Sequence, residues 1–253
     1  DALNETGKTY AAWNWKAGTS VSGDTTGSGT LKTYTGSVNT DAGFSIISFT
    51  GNGTSGHTIP HNLGVAPAMV ILKRYDSSNN WRVGHNGLTS WEYRLTLEAT
   101  EAQTSQSAVF NSTAPTSSVV TLGNSGSANG NDATYIMYSF ADIQGYSKFG
   151  SFISNTSTND SFIYLGFKPN FFLVKSITNT NAWIMFDGAR NKSNPTNAKL
   201  YPNSSGAEDT EPDFDFLSNG VKLRANFGNN TFIYMAFAEN PFVTSTGVPA
   251  TAR

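Results

Sequence analysis

Three histidines, one acidic run and five tryptophans are the residues of this chain whose types and spacing suit chemistry. His57 and His61 stand four apart, a spacing that places two metal ligands on one face of a helix or a strand. Thr58, Ile59, Pro60 and Gly64 break any helix there, and no third ligand type follows. The stretch TIPHNLGVAPAMVILK (58–73) therefore reads as a turn launching an apolar strand, with His61 hydrogen-bonded to a backbone carbonyl. The acidic run GAEDTEPDFDF (206–216) offers oxygen donors to a calcium ion, with Asp209, Asp213 and Asp215 as the candidate ligands. It lacks the glycine and the terminal glutamate of an EF-hand, so a solvated loop with a local backbone turn is the simpler expectation. Asp187, Asp215 and Glu239 are the carboxylates available for glycosidic hydrolysis, yet no motif ties two of them across a gap of roughly 5–9.5 Å. A Gly-x-Ser-x-Gly elbow is missing, as is a glycine-rich loop between strand and helix. No catalytic residue is assigned, and calcium is the one cofactor considered.

Aromatic rings suit the apolar face of a sugar. Trp81 and Trp183 occupy matching places in two similar stretches, which argues for core packing, since large aromatics carry much of a β-protein's buried area. Trp91 has no counterpart and is the better surface candidate. Tyr146 and Tyr201, in or beside loops, complete the set of candidate glycan contacts.

These side chains must be positioned by strands. Aromatic residues make up 13% of the chain and charged residues also 13%, with Ser, Thr, Asn and Gly filling the difference. That mixture favours strands with polar outer faces and tight turns over surface helices. A net charge of −2 provides no basic field for a nucleic-acid backbone. No apolar stretch approaches the roughly 20 residues that span a bilayer, and no N-terminal segment reads as a signal peptide. Without cysteine there is neither a disulfide nor a thiolate metal site. Asn-x-Ser/Thr triplets, as at Asn52, Asn111, Asn155 and Asn203, are expected by chance in so Asn- and Ser-rich a chain.

The chain is similar to itself. GVAPAMVILK (64–73) matches GFKPNFFLVK (166–175), with glycine, proline and lysine in the same places. At the same offset Trp81 falls on Trp183, Asn79 on Asn181, and His85 on Asp187. TYIMYSFAD (134–142) matches TFIYMAFAE (231–239), and TYAAWNWKA (9–17) reads as a third copy of that closing block. The expected fold is all-β: two tandem, related, jelly-roll-like β-sandwiches with an N-terminal strand from a partial repeat. Residues 1–41 would hold that strand and a linker, 42–145 the first sandwich, 146–242 the second, and 243–253 a tail. MVIL and FFLV, apolar on both faces, suit the interior of stacked sheets. WEYRLTLEAT (91–100) comes nearest to a helical stripe, but it alternates as well as it spirals.

Laid out this way, the chain resembles modules of marine tailed-bacteriophage virion proteins, notably those of cyanobacterial phages. The resemblance rests on YAAWNWKAG, on GFSIISFTGNGT followed by TIPHNLGVAPAMVILKR, on YIMYSFADIQGYSKFGSF, on DFLSNGVKLR, and on TFIYMAFAENPFVTSTGVPATAR. It implies a non-enzymatic protein of the particle surface, such as a tail fibre, appendage or head decoration, that contacts a host cell-surface glycan or protein. It further implies other virion proteins as neighbours and a homo-oligomer, of the trimeric kind common in fibres. In such proteins these modules follow an N-terminal part of a longer chain, and the last block resembles a native C-terminus. The resemblance supplies no site residues. The other readings are a carbohydrate-binding adhesin module and a surface-polysaccharide depolymerase.

Overall fold

The computed structural model describes residues 5–16, 18–158, 161–211 and 213–240, and there its regular structure is almost entirely antiparallel β. The first half contains β1 (Thr19–Asp24), β2 (Thr26–Gly27), β3 (Thr33–Asn39), β4 (Phe44–Thr50), β5 (His57–Pro60), β6 (Met69–Arg74), β7 (Arg82–His85), β8 (Tyr93–Thr96) and β9 (Thr104–Ser105). A single helical turn, α1 (Ser107–Phe110), precedes β10 (Val119–Leu122) and β11 (Thr134–Phe140). The second half contains β12 (Ser147–Ile153), β13 (Phe162–Tyr164), β14 (Pro169–Ser176), β15 (Ile184–Asp187), β16 (Lys199–Leu200), β17 (Phe214–Leu217), β18 (Gly220–Leu223) and β19 (Thr231–Ala238).

Each half is a large sheet faced by a three-stranded one. The first large sheet has the order β1-β3-β4-β11-β6-β7-β8-β9 and faces β10-β5-β2; the second has the order β12-β19-β14-β15-β16 and faces β13-β18-β17. The order β4-β11-β6-β7-β8 thus recurs as β12-β19-β14-β15-β16, with the two sequence-matched closing blocks, β11 and β19, each second in its series. In both cases a closing strand is paired on both edges, β11 by β4 and β6, β19 by β12 and β14.

Period-two side-chain alternation explains the layering. In β6, Val70 and Leu72 enter the core of the first half while Met69 and Ile71 point the other way. In β14, Phe172 and Val174 enter the core of the second half while Phe171 and Leu173 point the other way. The outward-pointing sets meet. Met69, Val83, Leu95 and Phe140 from one large sheet and Phe171, Leu173, Trp183, Met235 and Phe237 from the other form a third, shared apolar layer. Three large apolar clusters thus lie between the sheets, with a small fourth at Val38, Leu63 and Ala141, and matching faces of the two halves pack on each other.

Two expectations are corrected. Of residues 9–17, read as a strand, residue 17 lies outside the described residues, and the main chain of 11–16 joins no sheet among them; Trp13 and Trp15 pack against the shared layer. Residues 19–39, read as linker, form β1, β2 and β3 and belong to the sheets of the first half. Their Ser, Thr and Gly content hid them: β1 is exposed at nearly every position, so it has no apolar face to read. Of WEYRLTLEAT, Tyr93–Thr96 is strand β8 and no part is helical. No helix among the described residues is long and apolar enough to cross a membrane.

Candidate functional site

The histidines are structural, and each is fully buried. His61 accepts the Leu63 amide on Nδ1 (3.2 Å) and donates Nε2–H to the Thr116 carbonyl (3.2 Å), clamping the turn before β6. His57 donates Nδ1–H to Asn129 Oδ1 (2.8 Å) and accepts the Thr25 hydroxyl on Nε2 (2.7 Å). Asn129 Oδ1 also accepts the Asn52 amide, which marks it as the carbonyl oxygen, an acceptor only, and so fixes that tautomer. Burial pulls all three histidines down in pKa, His85 to about 4, so they are neutral near pH 7.

His85 shows what its alignment with Asp187 means. His85 Nδ1 accepts the amide two residues on, at Gly87 (2.9 Å), and Asp187 Oδ1 accepts the amide two residues on, at Ala189 (3.1 Å). The two side chains hold the same turn by different chemistry. His85 then donates Nε2–H across the shared layer to the Tyr234 carbonyl (3.1 Å), while Asp187 pairs with Arg190 (2.6 Å).

The other candidate acids are each held by a lysine or arginine. Glu239 pairs with Lys168 (2.9 Å) and Asp215 with Arg224. Asp213 and Asp209 share Lys199, at 3.0 and 3.4 Å, and Asp209 also accepts the Tyr201 hydroxyl (2.7 Å). Burial pushes the Asp213 carboxyl up, against the pull of Lys199. Among the described residues no three His, Asp or Glu side chains converge as a metal site would require. Millimolar calcium is therefore expected to leave the melting temperature where chelator leaves it, by differential scanning calorimetry; a calcium-dependent rise would restore Asp209, Asp213 and Asp215 as ligands.

The three aromatic candidates are scattered and engaged. Trp91 packs edge-on against Phe110 (5.3 Å between centroids) at the margin of the first core. Tyr146 packs edge-on against Phe237 (5.5 Å) at the shared layer, and burial raises its phenol pKa. Tyr201 is tied to Asp209. The structure brings no two of them together.

What it does bring together was not singled out from the sequence. A cavity of about 470 Å³ opens at one side of the shared layer, lined by Trp13, Trp15, Trp81, Tyr138, Leu97 and Met185 among others. Trp81 stacks on Tyr138 (6.4 Å, 22°), and Lys73 Nζ lies 5.6 Å from the Trp81 ring. Core packing was the expectation for both matched tryptophans: Trp183 is fully buried, with Nε1–H donated to the Thr96 carbonyl (2.9 Å), whereas Trp81 is only half-buried and borders the cavity. Lys175 is buried in the same layer, donating to the carbonyls of Thr100 (3.2 Å) and Ser176 (2.7 Å), and burial lowers its pKa to about 8. A hint was present: Lys175 ends an apolar strand, FFLVK, at the place where Lys73 stands in the other half. A second hollow, about 410 Å³ and more polar, lies around Asn170, Lys168, Asn191 and Lys192.

The sequence matches the family model described as "Domain of unknown function (DUF7483)" over residues 1–241. The chain belongs to that family. No curated protein matches it. A solved structure titled "Crystal Structure of the STIV MCP" aligns at 9% identity over 92% of this chain and 96% of that one, with a TM-score of 0.18, too low to carry an argument. For this DUF7483 chain, function must therefore be argued from its own residues.

Proposed function

We propose that this chain is a non-enzymatic protein of a bacteriophage particle surface, built from two copies of one β-unit in tandem, and that it takes part in host attachment as a homo-oligomer. One observation carries the reading. Its chemistry-bearing side chains serve the stack of sheets: the histidines clamp turns and bridge halves, and the candidate carboxylates are each held by a lysine or arginine. A scaffold so arranged suits load-bearing and surface display rather than turnover, and it agrees with the sequence blocks shared with phage virion modules.

Immunogold labelling with antibody against this chain, on particles purified from a lysate that contains it, tests the reading. Label on the particle surface is expected, and preincubating host cells with purified protein is expected to slow particle adsorption. Particles without label would sink the virion assignment. Labelled particles whose adsorption is unaffected would sink the attachment role alone.

A further inference from the structure

Each half of the chain is a control for the other, and they part at one hairpin. A main-chain bond closes the same place in both: the Asn86 amide donates to the Ala68 carbonyl (2.8 Å), and the Gly188 amide to the Asn170 carbonyl (2.9 Å). The side chains at that place are exchanged. The first half carries a buried alanine on its strand, Ala68, opposite Asn86; the second carries Asn170 opposite a glycine. Lys168 likewise stands where the first half has Ala66, so the unit folds without either polar group. Asn170 is also the extra residue of a β-bulge. Pro169 and Phe171 pair with Ala238 and Phe237, which are adjacent in β19, whereas β6 meets β11 in unbroken register. Bulges re-aim side chains and recur beside functional sites. A Cβ at position 188 would lie 2.7 Å from Asn170 Oδ1, so the glycine leaves the space that the carboxamide occupies.

Asn170 and Gly188 line the polar hollow of about 410 Å³, a volume within the roughly 300–1,000 Å³ of small-molecule sites. Much of its wall is tied down. Asn191 Oδ1 accepts the Asn197 (3.2 Å) and Ala198 amides, and Asn194 exchanges two hydrogen bonds with the Phe216 main chain, each of 2.9 Å. Lys168 and Glu239 pair with each other (2.9 Å). Three lining side chains have neither a hydrogen bond nor an ion pair among the described residues: the Asn170 carboxamide, the Lys192 ammonium and the Ser193 hydroxyl.

Those three groups define a ligand. A carboxamide donates and accepts, as does a hydroxyl, and both match sugar hydroxyls, which do the same. The Lys168–Glu239 pair cancels its own charge and leaves Lys192 to face an anionic group. Phe216, the one aromatic residue of the lining, is buried, so a flat aromatic ligand finds no ring to stack on. The geometry points to a saccharide that carries a carboxylate, a hexuronic acid of an acidic polysaccharide, with the carboxylate on Lys192 and ring hydroxyls on Asn170 and Ser193. As a host ligand this saccharide rests on the attachment reading; as a ligand of the hollow it does not.

Calorimetric titration of the full chain with a galacturonic acid trisaccharide, with the neutral galactose trisaccharide and with sodium phosphate tests the proposal. Saturable binding of the acidic trisaccharide is expected, about tenfold tighter than of the neutral one, with no binding of phosphate in the same range. Placing the first half's residues in the second, Asn170→Ala with Gly188→Asn, is expected to weaken binding about tenfold or more, with thermal unfolding unchanged. Lys192→Ala, at an exposed position, is expected to reduce the affinity for the acidic trisaccharide to that for the neutral one. No saturable binding, binding indifferent to these substitutions, or neutral sugar or phosphate bound as tightly would overturn the site. Particles that carry the immunogold label while the acidic trisaccharide fails to bind would overturn the site alone and leave the particle-surface reading standing.

Discussion

Trp183→Ala is expected to destabilise the protein by about 3–5 kcal/mol, and Trp81→Ala, at the matching place in the other half, by no more than about 1–2 kcal/mol. The chemistry removed is the same; the surroundings are not. Trp183 is 1% exposed, lies in the layer between the large sheets, and its indole donates to the Thr96 carbonyl of the other half. Truncation leaves a cavity in a close-packed seam and a buried carbonyl without its donor, and both costs add. Trp81 is half-buried, stacks on Tyr138 and borders a cavity that is already open. Losing it sacrifices a stacking contact and the Lys73 cation–π contact, terms of about 1 kcal/mol or less each. Urea unfolding followed by circular dichroism separates the two. Equal losses would mean that the seam is not the load-bearing layer described here.

This asymmetry marks the boundary of what the sequence discloses. MVIL and FFLV announce strands covered on both faces, and the repeated Gly-x-x-Pro places them in register with each other. Alternation alone cannot say what covers the second face. Two stacked sheets in each half satisfied the pattern equally well, and the actual cover for Met69 and Phe171 is the opposite half of the chain. The identity of residues at matching places misleads for the same reason: Trp81 and Trp183 share a local frame but meet different neighbours. The candidate site was less legible still. Trp13 and Trp15 are marked by their likeness to the closing blocks, and the unpaired state of their backbone is invisible until the strands around them are placed. Trp91, Tyr146 and Tyr201 stand out in the sequence for lacking a repeat partner or for lying in loops, features that say nothing of packing; the structure puts each against its own ring or carboxylate. β1, an edge strand exposed at every position but Val21, carries no periodic signal.

Stability is expected to rise in two steps as pH increases, each led by a group buried in the seam between the halves. Burial holds His85 at a pKa of about 4 and Lys175 at about 8, the latter against the partly restoring charge of Glu101. Each folded-state value lies below that of the unfolded chain. Between pH 4 and about 6.5 the unfolded chain binds a proton at His85 that the folded one refuses, so stability grows with pH by up to about 1.4 kcal/mol per unit. His57 and His61, outside the seam and also lowered chiefly by burial, add to this step with the same sign, while the Asp142 and Asp213 carboxyls, raised by burial, oppose it. From about pH 8 upward Lys175 repeats the argument, because its unfolded-state ammonium persists to about 10.4. The buried tyrosines end the rise. Burial raises the phenols of Tyr135, Tyr138 and Tyr146, and lifts Tyr234 to about 12, so above about pH 10 the unfolded chain loses protons that the folded one keeps, and stability falls. Unfolding free energies from urea titrations at pH 8 and 9.5 should therefore differ by about 1–2 kcal/mol in favour of the higher pH. Lys175→Met abolishes that difference if the lysine is its source, while leaving the acid step intact. An alkaline rise that survives the substitution would place the titrating group elsewhere. No rise in the parent protein would mean that the Thr100 and Ser176 carbonyls hold Lys175 charged across the whole range.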